Sequence, residues 1–221
     1  MDYSEQKQHY ENLWKKVGLW KNESPNFKTR NPQKETIDFI DFLRSKKITK
    51  GKALDIGCGG GRHVILFAKQ GFQSYGIDFS KTAIKLAKID AKDKNINANF
   101  KVGDVLKLPY KKDTFDIVHD SGCLHHLSKR DWDLYLKNVL KVLKKEGYLK
   151  LFVFSDNTKY LTGHKISKTK NWIIHRSHYT HFFSKKEIKE LFSGYFKILK
   201  IIEEKRKDDL RSFYIAYMQK K

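Results

Sequence analysis

Between residues 53 and 62 the chain reads Ala-Leu-Asp-Ile-Gly-Cys-Gly-Gly-Gly-Arg, an apolar run that carries an acid and then breaks into glycines. Lys52 to Ile56 has the length of a strand, and glycines at 57, 59 and 61 let the backbone turn sharply and approach a ligand with no Cβ in the way. Arg62 to Gln70 reads as a helix, with Gly71 as its stop. A strand, a glycine turn and a helix open a βαβ unit, which commits the chain to a mostly parallel sheet with helices on both faces. A dinucleotide fingerprint would place its third glycine at position 62, where Arg62 stands, so the turn does not favour a nicotinamide cofactor.

The pattern repeats downstream. Gln73 to Asp78 is a second strand, and Ser80 can cap a helix running to about Asp93 with Ala83, Ile84, Leu86 and Ala87 inward. Asn99 to Val102 and Phe115 to His119 are short strands, each followed by an aspartate, Asp104 and Asp120. An amphipathic helix is expected from Arg130 to Lys145, ended by Gly147, with a fifth strand from Tyr148 to Phe154. Ser184 and Glu187 have capping-box spacing, so a last helix begins there. Phe196 to Ile202 and Phe213 to Met218, separated by the charged stretch Glu203 to Arg211, complete a seven-stranded sheet as an antiparallel C-terminal hairpin.

Ligands of such sheets bind beyond the carboxyl ends of the strands, where this chain places its acids. Asp78 ends the second strand 19 residues after Gly59, where a carboxylate can accept both hydrogen bonds of a ribose diol. Asp104, past the third strand, can accept from an adenine amino group.

Four motifs occur in order: Leu54-Asp55-Ile56-Gly57-Cys58-Gly59-Gly60-Gly61, Gly76-Ile77-Asp78-Phe79-Ser80, Gly103-Asp104-Val105 and Phe115-Asp116-Ile117-Val118-His119-Asp120. Together they resemble the class I S-adenosylmethionine-dependent methyltransferases over roughly Lys50 to Phe154, which implies a Rossmann-like α/β fold. The resemblance implies that Asp55, Gly57, Cys58, Gly59 and Arg62 hold the methionine end, and Asp78 the ribose hydroxyls. It sets Phe79 on an adenine face, Gly103, Asp104 and Val105 at the adenine edge, and Asp120 and Ser121 beside the methionine moiety. S-Adenosylmethionine would be the cofactor and S-adenosylhomocysteine the product, with no metal. Trp14, Trp20 and Pro25, together with Asp120-Ser121-Gly122-Cys123-Leu124-His125-His126-Leu127, are similar to small-molecule branches related to thiopurine, thiol and tellurite methyltransferases. The chain departs from those branches at Ser121, where they often carry arginine.

Methyl transfer from a sulfonium is an in-line displacement, so positioning and water exclusion are the main tasks. An alcohol or protonated amine acceptor would need a general base; His125, His126 and Asp120 are the candidates by position, with His125 the catalytic expectation. A thiolate, or a tellurium or arsenic anion, would need none. His175, His178 and His181 are three residues apart without cysteines or an acidic fourth ligand, so no metal site is expected.

The 221 residues divide as an N-terminal helical cap (1–50), a cofactor-binding core (51–154), a connection over the acceptor end (155–183) and a closing helix and hairpin (184–221) of one domain. No signal-like or membrane-length apolar segment is found, and two cysteines, Cys58 and Cys123, suit a reducing cytoplasm. The net charge of +21 comes from 39 lysines and only seven arginines spread along the chain, which favours a solvated surface over specific phosphate recognition. The leading expectation is a small-molecule methyltransferase. RNA or protein methylation using the basic surface, and a non-catalytic cofactor-binding subunit, are the alternatives.

Overall fold

The computed structural model describes residues 3–19, 31–161, 164–165, 171–175, 178–206 and 210–221. Trp20 and Pro25 of the N-terminal pattern lie outside them, as do the side chains of His164, His175 and His178. Helices α1 (Tyr3–Leu19) and α2 (Lys34–Ser45) precede an alternating core: β1 (Lys52–Ile56), α3 (Arg62–Lys69), β2 (Gln73–Asp78), α4 (Lys81–Asp93), β3 (Asn99–Val102), β4 (Phe115–Ser121), α5 (Trp132–Val142) and β5 (Leu143–Phe154). The connection carries two small hairpins, β6 (Tyr160–Leu161) with β7 (His164–Lys165) and β8 (Trp172–His175) with β9 (His178–His181). α6 (Lys185–Phe192), β10 (Phe196–Lys205) and β11 (Ser212–Lys220) close the fold.

The large sheet has the order β10-β11-β5-β4-β1-β2-β3, with β11 antiparallel to both its neighbours and the remaining pairs parallel. Its two faces are covered separately because side chains alternate along each strand. Leu54, Ile56, Val118, Leu149 and Leu151 form one core with Tyr135, Val139, Ile188 and Phe192 of α5 and α6. Ala53, Ile117, Phe152 and Tyr217 form the other with Phe39, Ile40 and Leu43 of α2 and Phe67 of α3. Each large apolar side chain fully buried there contributes about 1.5 to 3 kcal/mol of transfer free energy. The expected caps are present. Ser80 Oγ accepts from Ala83 N (3.0 Å), and Ser184 with Glu187 forms a complete capping box.

Several boundaries differ from the expected ones. The helix anticipated over 130–145 starts at Trp132, after a 3-10 turn at Lys129–Asp131, and stops at Val142. Leu143 continues the apolar periodicity but pairs with Phe115, and the register then shifts before Ile117 meets Tyr148. Gly147 serves that excursion rather than a helix end, for a Cβ there would lie 2.9 Å from Lys144 O and 3.0 Å from Asp116 O. The closing strands also run further into the charged stretch than their apolar residues suggested, because Glu203, Glu204 and Lys205 pair with Tyr214, Phe213 and Ser212. No described helix is long and apolar enough to cross a membrane.

Candidate functional site

A cleft of about 190 Å³ opens at the carboxyl ends of β1 to β4. Its floor is the glycine turn. Gly57 and Gly59 take left-handed φ values of 65° and 51°. A Cβ on Gly57 would stand 3.0 Å from Cys123 Cβ, and one on Gly59 would stand 2.6 Å from the Trp14 ring. Only glycine fits either position. Asp78, at the end of β2, accepts from Gly59 N (2.9 Å) and Ser80 N (2.8 Å). These bonds fix the carboxylate and leave further lone pairs at the cleft. Burial raises its pKa to about 6, against the pull of the two N–H donors. Phe79, Gly103 and Val105 complete this side of the lining.

Helix α1 forms the roof. Tyr3, Gln6, Tyr10 and Trp14 recur at i, i+3, i+7 and i+11, one helical face, and all four line the cleft. Polar side chains tie the helix down: Tyr3 OH and Lys7 Nζ donate to Asp104 (3.1 and 2.5 Å), and Ser80 Oγ donates to Glu11 (2.6 Å). Gln6 bridges to the opposite wall, donating to His126 O (2.6 Å) and accepting from Tyr179 N (3.3 Å). That wall is the segment after β4. Asp120 is fully buried beneath it, where its carboxylate accepts from the N–H groups of Gly122, Cys123 and Leu124 and from Tyr135 OH. Cys123, His126 and Leu127 reach the cleft.

The profile of the methyltransferase domain family matches residues 48–195. The chain belongs to this family of methyltransferase domains. It is 39% identical over 111 residues to a norajmaline N-methyltransferase of Rauvolfia serpentina, covering 49% of this chain and 37% of that protein. It is 36% identical over 118 residues to a ubiquinone biosynthesis O-methyltransferase of Pelagibacter ubique, covering 52% and 48%. The matches thus span less than half the length of both relatives. Among solved structures, a SAM-dependent methyltransferase of Methanosarcina mazei superposes with TM-score 0.69 at 25% identity, over 81% of this chain and 96% of that one. A Burkholderia thailandensis 1,6-didemethyltoxoflavin-N1-methyltransferase, holding S-adenosylhomocysteine, superposes with TM-score 0.75 at 18% identity over 98% and 88%. Family and fold are those of the class I S-adenosylmethionine-dependent enzymes, and the glycine cradle with the lone pairs of Asp78 suits that cofactor.

Within this methyltransferase domain the expected site residues divide. Gly57, Gly59, Asp78, Phe79, Gly103 and Val105 line the cleft, whereas Asp55, Cys58, Arg62, Asp104, Asp120, Ser121 and His125 do not. Cys58 turns its buried thiol behind the glycine turn, against the Cα of Gly76 and the side chain of Val64. Asp104 caps the 3-10 turn through Leu106 N (2.9 Å) and meets α1. Asp120 is committed to its own loop, and Ser121 Oγ donates to Gln33 Oε1 (2.5 Å) at the start of α2. His125 lies behind Gly122, whose Cβ would stand 3.3 Å from its ring. Motif membership located these residues in the chain, but the direction of each side chain depends on tertiary packing.

Asp55 marks the deepest departure. It belongs to a buried polar row, Asp55 on β1, His119 on β4 and Lys150 on β5, aligned by register beneath α2 and α3. His119 Nδ1 meets Asp55 Oδ1 at 2.6 Å, and its Nε2 meets Thr36 Oγ1 at 3.0 Å. Burial lifts Asp55 to about 7, with Lys150 and Arg62 opposing, and pushes Lys150 down to about 8. Lys150 Nζ has no hydrogen-bond partner among the described residues. Glu35, also buried, lies 2.6 Å from the Arg206 guanidinium as an ion pair without a directed hydrogen bond. Asp55, His63 and His119 could each turn one ligand atom to a common point. The row favours hydrogen bonding over a metal, since Gln33 N donates to His63 Nε2 and a buried lysine lies close by. His181, the described member of the histidine series, pairs with Glu187 at 3.2 Å.

Proposed function

We propose that this chain transfers a methyl group from S-adenosylmethionine to a small-molecule acceptor by direct in-line displacement. The observation that carries the reading is the roofed cleft, in which Gln6 joins α1 to the wall after β4 and to β9 over the space beside the glycine turn. A narrow, roofed cleft suits a compact acceptor and limits the access of water to the reacting atoms. The N- and O-methyltransferase names of the two relatives support the same acceptor class.

When bound, the cofactor supplies an electrophilic methyl on a sulfonium. In this reading Asp78 accepts the two ribose hydroxyls through lone pairs not used by Gly59 and Ser80. Phe79 covers one adenine face, Gly103 and Val105 set the adenine edge, and the turn at Gly57 and Gly59 admits the methionine end. Asp55, Arg62, Asp104, Asp120 and Ser121 act indirectly, by holding the strand ends, α1 and α2 in place.

Isothermal calorimetry with S-adenosylmethionine tests the assignment. Wild type should bind, and Asp78→Ala should weaken binding by about 1 to 3 kcal/mol, the cost of an unmade charged hydrogen bond. Absence of binding by the folded wild-type chain would overturn it.

One feature favours a second reading. Lys81, Lys85, Lys88 and Lys92 line the exposed face of α4 at i, i+4, i+7 and i+11, without an ion-pair partner among the described residues. A polyanion such as RNA would relieve that like-charge stripe. Steeply salt-dependent RNA binding, lost on replacing the four lysines, would favour an RNA acceptor.

A further inference from the structure

A second stripe of α1 runs beside its lining face. Tyr3, Lys7 and Glu11 recur at i, i+4 and i+8, and all three reach the loops after β2 and β3. Glu11 Oε2 accepts from Ser80 Oγ (2.6 Å), and its Oε1 accepts from Thr82 Oγ1 (2.5 Å). Ser80 is the N-cap of α4, so Glu11 sets a carboxylate at the start of that helix, where the open N–H groups and the dipole favour negative charge. The Ser80 N–H in turn donates to Asp78 Oδ1 (2.8 Å), which completes a path from Glu11 through Ser80 to Asp78. Lys7 Nζ donates to Asp104 Oδ2 (2.5 Å), while Asp104 Oδ1 accepts from Tyr3 OH (3.1 Å) and Leu106 N (2.9 Å).

The two loops are also tied to each other, Gly103 N donating to Asp78 O (2.9 Å). They carry Asp78 and Phe79 on one side of the cleft lining and Gly103 and Val105 next to them. A carboxylate offers about four lone-pair sites, and Asp104 fills three of them with Tyr3, Lys7 and Leu106. Its charge serves first to dock the helix. Docked α1 fixes the spacing and direction of both loops. A lifted α1 takes Lys7 away from Asp104 and Glu11 away from Ser80, and frees the loop that carries Asp78 to turn.

We infer that Lys7 and Glu11 are positioning residues for the cofactor: through Asp104 and Ser80 they hold the two nucleoside loops in their binding form, so that docking of α1 and binding of the nucleoside strengthen each other. The inference rests on the proposed cofactor assignment of those loops and adds α1 to it. Neither residue needs to touch the cofactor. Linkage makes the effect reciprocal: the factor by which a docked helix raises nucleoside affinity is the factor by which the nucleoside holds the helix down. The sign is opposite to that of a simple plug, in which Trp14 over the glycine turn would be displaced for as long as the ligand stays.

Calorimetry of the full chain with S-adenosylhomocysteine comes first; no binding by the folded wild type would sink the proposed function itself rather than the role of α1. Lys7→Met and Glu11→Gln should each weaken binding about three- to tenfold, the scale of one partly exposed ion pair or charged hydrogen bond. Lys7→Arg should recover most of the loss. Unchanged or tighter binding in either Lys7→Met or Glu11→Gln would overturn the inference. Lys7→Met combined with Asp104→Asn separates the roles, since asparagine can still accept from Leu106 N. If Asp104 acts through α1, the double variant binds no worse than the weaker of the two single ones. Fully additive losses would give Asp104 a contact of its own with the adenine and overturn its part in the docking. Amide hydrogen exchange reads the coupling from the other side. In the wild type, S-adenosylhomocysteine should slow exchange along Tyr3–Leu19, and in Lys7→Met and Glu11→Gln that protection should shrink while β1 and β4 exchange as before. A wild-type α1 whose exchange is unchanged or faster in the complex would overturn the inference, whether or not any variant folds.

Discussion

Asp55 and Asp78 stand on neighbouring parallel strands and point to the same side of the sheet, yet one belongs to the scaffold and the other to the cleft. Register explains the difference. Asp55 is level with Gly76, so Asp78 lies two residues further along, about 6 to 7 Å nearer the open end. At that end the donors are backbone N–H groups of the turn, and lone pairs remain for a ligand. One row deeper the partners are His119 and the neighbourhood of Lys150, and one oxygen of Asp55 has no hydrogen bond. A strand-end acid is a binding residue only when its depth lets it face solvent-exchangeable space.

The largest effect should come from the deep row. Asp55→Ala strips the buried His119 ring of its 2.6 Å partner and the buried Lys150 of an opposing charge, and should cost about 3 kcal/mol in chemical denaturation, the upper range for a buried polar group left unsatisfied. A loss under 1 kcal/mol would mean the row behaves like the cleft. Asp78→Ala should reverse the pattern, lowering folding stability less than the deep-row change while cofactor affinity falls by the margin given above; a fall in melting temperature as large as that of the deep-row variant would erase the distinction.

Protons separate the two acids further. Asp55 is raised in the folded state to about 7, so between its ordinary pKa near 4 and pH 7 the folded chain binds the extra proton. Its contribution to stability is full below about pH 4 and is lost as pH rises through 7. Asp55→Asn should therefore flatten the pH dependence of the melting temperature in that window, and an unaltered slope would count against it. For Asp78, raised to about 6, binding requires the carboxylate, so cofactor affinity should weaken as pH falls below about 6. Constant affinity from pH 8 to 5 would remove Asp78 from the ribose assignment. The smallest effect belongs to the roof: Gln6→Ala deletes two hydrogen bonds and should raise KM about fivefold with kcat less affected, near 1 kcal/mol, as steady-state kinetics would read.

What the sequence revealed tracks what is decided locally. Gly57, Gly59 and Asp78 were legible because turn geometry and strand termination fix backbone position. Asp55, Arg62 and Asp104 share the same motifs but their side chains answer to α1, α2 and β4, elements remote in sequence. Lys150 sits in the run Tyr148–Phe154, whose other residues are apolar, and nothing local distinguishes a buried lysine from a solvated one. The two hairpins of the connection are short and paired within themselves, too brief for periodicity to show. The roof of α1 left one readable trace, the spacing of Tyr3, Gln6, Tyr10 and Trp14, which is the mark of a helix face.

Trp14 resting on Gly59 and Gly60 bears on kinetics. A ligand that settles on the glycine turn must wait for the indole and its helix to lift, so capture becomes a gated, two-step event. Stopped-flow traces of tryptophan emission should give an observed rate that levels off with rising ligand concentration, and the plateau would be the opening rate of α1.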